Sequence, residues 1–375
     1  MVGQKRVPSR EGGVEVVVSE LSRRLVKRGN VVSAYCRSDH NVAGTEFDQK
    51  PIAEYEGVRV QYVRTIEGKG LSAASSSYFA TKAALADGVD VIHFHAEGPA
   101  AMVGMARRAG VRSVVTIHGL DWQRAKWGRA ASAYLKYGER VAARMADAVI
   151  VLSRATQDYF KRTYGRDTIL IPNAISIKSP VPADLISSTW GLESGSYVLF
   201  LGRIVPEKGL DYLISAWRGL HTDKRLVIAG GASDSWDYLD AVRRRAADDD
   251  SILFTDFVQG RVLEELYSNA YLYVLPSDLE GMPMSLLEAM SYGRCCLTSD
   301  IPECADVLAG TGVTFARGNA TSLTEQLSWL LESPQEVARQ GEAALGRVQA
   351  AYSWDSLVDR TAAVYEGVFM PELAL

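Results

Sequence analysis

The chain has 375 residues, 47% apolar and 23% charged, which suffices for about two domains with cores of their own. No run of 18 or more apolar residues occurs, and the opening Met-Val-Gly-Gln-Lys-Arg-Val-Pro lacks the apolar segment of an export signal. A membrane span and export are therefore not expected, the cytoplasm is the expected location, and no nucleic-acid partner is called for. The net charge of −4 conceals +9 over residues 1–175 and −13 over residues 176–375. Either one half meets an anionic partner, such as a membrane surface or a phosphorylated substrate, or two solvated surfaces simply differ.

Strand and helix patterns alternate along the chain. In the first half, helices are expected at Val14–Arg28, Ala73–Ala86, Pro99–Arg108, Ala130–Met145 and Arg154–Tyr164. Strands are expected between them at Val31–Cys36, Val58–Val63, Val89–Phe94, Ser113–Ile117, Ala148–Leu152 and Thr168–Ile171. A segment holding Pro180 and Pro182 follows Pro172-Asn173 and marks a boundary. Beyond it, strands read at Tyr197–Leu201, Arg225–Ala229, Ile252–Phe254, Leu272–Leu275, Cys295–Thr298 and Val313–Phe315. Helices alternate with them at Gly209–Trp217, Trp236–Ala247, Val262–Ser268, Met284–Tyr292 and Ser322–Leu331. Further helices are expected at Pro334–Ala351 and about Trp354–Phe369. Alternation at this spacing predicts two α/β domains, 1–173 and 174–352, each a parallel sheet covered on both faces, followed by 353–375. Ligands of such sheets bind beyond the carboxyl ends of the strands. Cys36, Cys295, Cys296 and Cys304 follow no C-x-x-C spacing and read as buried reduced thiols.

Two stretches carry chemistry. In "EGMPMSLLE", Glu280–Glu288, Pro283 suits the first helical position, and the amides of Met284, Ser285 and Leu286 then point out of a helix start. Those amides and the helix dipole attract an anion. Glu288 lies about 7 Å along the helix, at 1.5 Å per residue, and Glu280 stands in the loop before it. Acids at both ends of an anion site suit a ligand with hydroxyls at either end and phosphates between: a nucleotide sugar. The bland alternative is an acid before a helix and an exposed Glu on its face. In "FLGRIVPEKG", Phe200–Gly209, Arg203 and Lys208 follow a strand and could neutralise charge growing on a leaving diphosphate. Glu207 reads as structural. No G-x-G-x-x-G follows a strand, which argues against a dinucleotide dehydrogenase. No Asp-x-Asp ends a strand, and Asp248-Asp249-Asp250 reads as a solvated turn. No metal and no other cofactor is therefore expected, since protein cations must carry the leaving-group charge.

"GRIVPEKG" together with "EGMPMSLLEAMSYG" resembles the retaining GT-B glycosyltransferases of family 4. "PSREGGVEVVVSELSRRLVKRG", "VTIHGLDW", "VIVLSRATQDYF", "IPNAI" and "TSDIPE" extend the likeness over most of the chain. The resemblance implies two Rossmann-like domains facing a cleft and a last helix that returns to the first domain. It implies transfer from a nucleotide sugar with retained configuration and without a metal. Arg203 and Lys208 would hold the diphosphate, Glu288 the ribose and Glu280 the sugar hydroxyls. The backbone of Gly281, Met282, Pro283, Met284 and Ser285 would line the donor pocket. Gly12 and Gly13 would admit the phosphates closely, and His118 would contact the transferred sugar. His95 and Glu97 end another strand and face the acceptor in this reading; Asp121 and Trp122 either position the acceptor or merely shape their loop. The family usually opens with a full strand, whereas only Met1-Val2-Gly3 precede Gln4-Lys5 here, so a shortened first strand is expected.

The stretch Trp122–Met145 interleaves Arg124, Lys126, Arg129, Lys136, Arg140 and Arg144 with Trp127, Tyr134 and Tyr137. Arg23, Arg24, Lys27 and Arg28 add to it. Such a pattern suits an anionic membrane surface, and hence a peripheral enzyme acting on a glycan or lipid-linked acceptor in cell-envelope polysaccharide assembly. A solvated helix face is the other reading. A UDP-sugar is favoured as donor over a GDP-sugar. The rival classes are a nucleotide-sugar epimerase and a two-domain sugar-binding protein.

Overall fold

The computed structural model describes residues 1–9, 12–40, 50–68, 70–124, 127–232 and 235–368. The chain divides into two units, Met1–Ala174 with Trp354–Leu375, and Ile175–Ser353.

In the first unit the order is α1 (Gly13–Lys27), β1 (Ser33–Arg37), β2 (Glu54–Tyr55), β3 (Val58–Val63), α2 (Leu71–Ala86) and β4 (Val91–His95). Then come α3 (Glu97–Ala100), α4 (Val103–Arg108), β5 (Arg112–Ile117), α5 (Arg129–Met145), β6 (Ala148–Val151), α6 (Arg154–Tyr164) and β7 (Ile169–Leu170). The helix expected at Pro99–Arg108 is thus two short helices. Strands β2-β3-β1 form one ladder and β4-β5-β6-β7 another, parallel except for β2. Val2 bridges them, pairing in parallel with Tyr35 on one side and Phe94 on the other. A single residue therefore closes the sheet where a shortened strand was expected.

Successive side chains of a strand point to opposite faces, so adjacent residues feed different cores. Val115, Phe94 and Val149 join Ala80, Val103, Val141 and Phe160 under one set of helices. Val114, Cys36 and Ile150 join Val18, Leu21 and Leu25 of α1 on the other face. The last helix, Trp354–Glu366, completes that second layer with Trp354, Leu357, Val358 and Val364. Arg24 lies 4.6 Å from the centre of the Trp354 ring, Arg28 pairs with Asp355 and Asp359, and Arg112 donates to the Val364 carbonyl.

The second unit runs α7 (Leu185–Trp190), β8 (Tyr197–Leu201), α8 (Leu210–Trp217), β9 (Arg225–Ala229), α9 (Trp236–Ala246), β10 (Ile252–Asp256) and α10 (Gly260–Asn269). It continues with β11 (Leu272–Leu275), α11 (Met284–Ser291), β12 (Cys295–Ser299), α12 (Pro302–Leu308), β13 (Val313–Phe315), α13 (Ala320–Glu332) and α14 (Pro334–Ala351). Its sheet is parallel throughout, in the order β10-β9-β8-β11-β12-β13. The winding direction reverses between β8 and β11, and loops leaving such neighbours diverge and open a crevice at their carboxyl ends. All four cysteines are buried and unbridged. Among the described residues no helix is long and apolar enough to cross a membrane.

Candidate functional site

The second unit gathers four of the expected side chains at that reversal. Arg203 and Lys208 follow β8, while Glu280 and Glu288 follow its neighbour β11. Lys208 and Glu280 are both largely buried, and the ammonium meets the carboxylate at 2.5 Å. Ser277 also donates to that Glu280 oxygen, at 2.6 Å. The sequence assigned Lys208 and Glu280 to different parts of a ligand; in the structure they are also each other's partners. Lysine has three N–H donors, so this pairing leaves it able to meet an anion as well.

The loop is held by close backbone approach. Gly209 has φ +68, and a Cβ there would lie 2.1 Å from the Pro276 carbonyl oxygen, so only glycine lets the two loops touch. Asp278 N–H donates to the Glu207 carbonyl at 2.8 Å, a second bond between the two loops. Tyr273 ties the end of β8 to α11, donating to the Leu201 carbonyl at 3.2 Å and accepting from the Ser285 hydroxyl at 2.8 Å.

Pro283 is not the first helical residue, the position its missing N–H suits. It is the cap before Met284, and its carbonyl accepts from Leu286 at 3.2 Å and Leu287 at 3.3 Å. The amides of Met284 and Ser285 stand ahead of those first bonds, as an anion site at a helix start requires. Gly281, Met282 and Pro283 are buried beside it. Glu288, half-buried one turn along, accepts from Tyr267 at 3.1 Å.

The first unit gathers a second set. His118, just past β5, and His95, the last residue of β4, meet through His118 Nε2 and His95 Nδ1 at 3.1 Å. His93 rests against Tyr365 of the last helix and against Thr116, both at 2.7 Å. Burial drives the His118 pKa down to about 4, against the opposing pull of Asp121 and Glu15, and takes His93 and His95 well below their usual value. All three rings are therefore neutral near pH 7. Glu97 is fully buried and accepts from the Asp121 amide at 3.0 Å. Trp122 donates its indole N–H to Glu139 at 2.9 Å and carries the Lys136 ammonium 4.0 Å above its ring. His95 thus meets His118, and Glu97 holds the Asp121 amide next to Trp122.

Gly12 caps α1 and Gly13 begins it. A Cβ at Gly12 would lie 2.8 Å from a Glu15 carboxylate oxygen, so the glycine loop faces a buried acid. Glu15 also accepts from the Lys5 amide at 3.1 Å. Sequence reasoning passed over Glu15 and Glu139. An acid in an amphipathic helix carries no local sign that it is buried.

Of the basic stretch, Lys126 lies outside the described residues. Arg129, Lys136, Tyr137, Arg140 and Arg144 are exposed and recur at helical spacing along one stripe of α5. The cations of α1 do not extend it. Arg23 and Arg24 pair with Glu20, Lys27 with Glu56, and Arg28 with the last helix.

Two doubly wound units, with basic and acidic groups at the switch point of the second, define the class of GT-B glycosyltransferases. HepE from Anabaena, solved with UDP-glucose, shares this fold with a TM-score of 0.80 at 17% identity, over 97% of this chain and 98% of that one. A family model described as Glycosyltransferase Family 4 matches residues 11–179, and one described as Glycosyl transferases group 1 matches 195–333. The chain belongs to the family 4 glycosyltransferases. It is 27% identical to alpha-maltose-1-phosphate synthase of Mycobacterium tuberculosis, over 68% of this chain and 73% of that protein. It is 28% identical to a GDP-mannose-dependent alpha-(1-6)-phosphatidylinositol monomannoside mannosyltransferase of Mycolicibacterium smegmatis, over 71% of this chain and 73% of that protein. Neither the epimerase nor the binding-protein reading gains support.

Proposed function

We propose that this glycosyltransferase moves a sugar from a nucleotide sugar to a glycan or lipid-linked acceptor, with retention of configuration and without a metal, in cell-envelope polysaccharide assembly. The observation that carries the donor assignment is the contact of Lys208 with Glu280 at the β8–β11 switch point, with Arg203 in the loop after β8 and Glu288 on the helix after β11. A diphosphate would lie against Arg203, Lys208 and the Met284 and Ser285 amides, which neutralise charge as the leaving group departs. Glu288 would accept from the ribose and Glu280 from the sugar. In the first unit, His118 and Gly12-Gly13 would serve the transferred sugar and the phosphates. His95, Glu97, Asp121 and Trp122 would serve the acceptor. A UDP-sugar is the favoured donor, with a GDP-sugar second; HepE was solved with the former and the mycobacterial mannosyltransferase takes the latter.

The exposed stripe of α5 supports work at the cytoplasmic face of an anionic membrane, since Arg129, Lys136, Arg140 and Arg144 stand there with Tyr137. Flotation with phosphatidylglycerol vesicles at low salt should carry the protein upward, and reversing Arg129, Arg140 and Arg144 to Glu should abolish this. The donor reading is tested by thermal shift with UDP, GDP, UDP-glucose and GDP-mannose, followed by an assay of nucleoside diphosphate release in EDTA. Stabilisation by a uridine or guanosine diphosphate and slow release without metal are expected. No shift with any of the four would overturn the assignment.

A further inference from the structure

Glu139 lies in the middle of α5 and is fully buried. Its oxygens meet donors only: Trp122 Nε1 at 2.9 Å on one, Tyr159 at 2.8 Å and Tyr164 on the other. Three donors converging on one carboxyl leave no acceptor for a proton of its own, so Glu139 serves as the carboxylate. Glu97, also fully buried, lies carboxyl to carboxyl with it. One Glu97 oxygen takes the Asp121 amide at 3.0 Å, while the other, Oε1, is buried and receives no N–H or O–H. Two buried carboxyls that interact directly strongly disfavour both being charged, and a proton on Glu97 has Glu139 as its acceptor.

We infer that Glu97 and Glu139 share one proton, Glu97 donating to Glu139, and that this pair positions Asp121 and Trp122. Glu97 holds the backbone of Asp121, and Glu139 holds the indole of Trp122, so the pair grips two consecutive residues from beneath. Burial, with Asp121 and Glu139 alongside, raises the Glu97 pKa well above the usual carboxylate range, in keeping with this. The backbone is built for the contact. Gly138 brings α5 so close that a Cβ would lie 1.9 Å from the Glu97 carbonyl oxygen. Ala96, next to Glu97, takes φ +82 and ψ 168, a region that side-chain-bearing residues avoid. That these two gripped residues face an acceptor rests on the function proposed above; the shared proton does not.

The test therefore reads the proton and the indole directly. Infrared spectra at neutral pH should show a protonated-carboxyl stretch that disappears in Glu97→Gln. In 5-fluorotryptophan-labelled protein, Trp122→Phe assigns the Trp122 fluorine resonance. That resonance should stay in place in Glu97→Gln, whose amide reproduces both the donor and the acceptor of a protonated acid. It should move or broaden in Glu97→Ala and in Glu139→Gln. At neutral pH Glu97→Gln should be at least as stable as the wild type, because it spares the proton uptake on folding, while Glu97→Ala loses stability. The inference fails if the wild type lacks the stretch, or if Glu97→Gln disturbs the indole as much as Glu97→Ala. Either failure leaves donor binding by the second unit untouched.

Discussion

The two units assemble polar groups by opposite means. In the second, charges at the ends of β8 and β11 sit at the rim of a sheet, where Lys208 and Glu280 neutralise each other and remain within reach of a ligand. In the first, His93, His95, Glu97 and Glu139 lie inside the fold and bond to other buried or half-buried groups: Tyr365 and Thr116, His118, the Asp121 amide, and Trp122 with Tyr159 and Tyr164. On the function proposed above, altering the rim cluster should cost chemistry, whereas an interior substitution that leaves a buried donor or acceptor unmatched should cost the fold.

The largest effect should come from the interior. Glu139→Ala strands the Trp122, Tyr159 and Tyr164 donors at once and should cost about 4 kcal/mol in urea unfolding, by analogy with breaking a buried polar pair. Acid titration should come next. Below about pH 6.5 the unfolded chain takes up protons on three histidines that the folded chain refuses, so stability falls with pH. Glu97 acts in the opposite sense, because its folded form keeps a proton that the unfolded chain releases above the ordinary carboxylate range. The histidines outweigh Glu97 between about pH 6 and 5, and Glu97→Gln should steepen the fall by about 1.4 kcal/mol per pH unit, the value of one proton; a slope unchanged by that substitution would contradict the interior proton.

Rim substitutions should show the reverse pattern. Arg203→Ala and Lys208→Ala should each lower turnover by more than about tenfold, roughly 1.4 kcal/mol in the barrier, with the unfolding transition cooperative and the circular dichroism intact. Near-normal turnover in either variant would remove that residue from the donor site. The smallest effect expected is a gain. Ala96→Gly relieves the left-handed strain before Glu97 and should stabilise by about 1 kcal/mol.

Most of the scaffold was legible because burial on one or both faces imposes a period. Strands Val58–Val63, Tyr197–Leu201, Arg225–Ala229, Leu272–Leu275 and Val313–Phe315 form as the pattern predicts. The helix Leu185–Trp190 was not legible. It spans six residues, and its first amides are satisfied by Glu265, which accepts from Leu185 at 2.7 Å and Ile186 at 3.1 Å from a helix far along the chain. The helix Pro302–Leu308 was not expected either. The candidate donor residues could be found because loop and helix-start chemistry is local. Glu139 could not, since its partners Tyr159 and Tyr164 stand 20 and 25 positions away and only packing brings them together.

The helix Trp354–Glu366 is the final covering layer of the first unit, although the whole second unit precedes it in the chain. Anyone recombining halves of such transferases to mix donor and acceptor preferences must therefore cut twice, near residues 174 and 354. A single crossover at the midpoint would give the first half a foreign closing helix, and the loss of Tyr365 from His93 would expose the interior histidines to that mismatch.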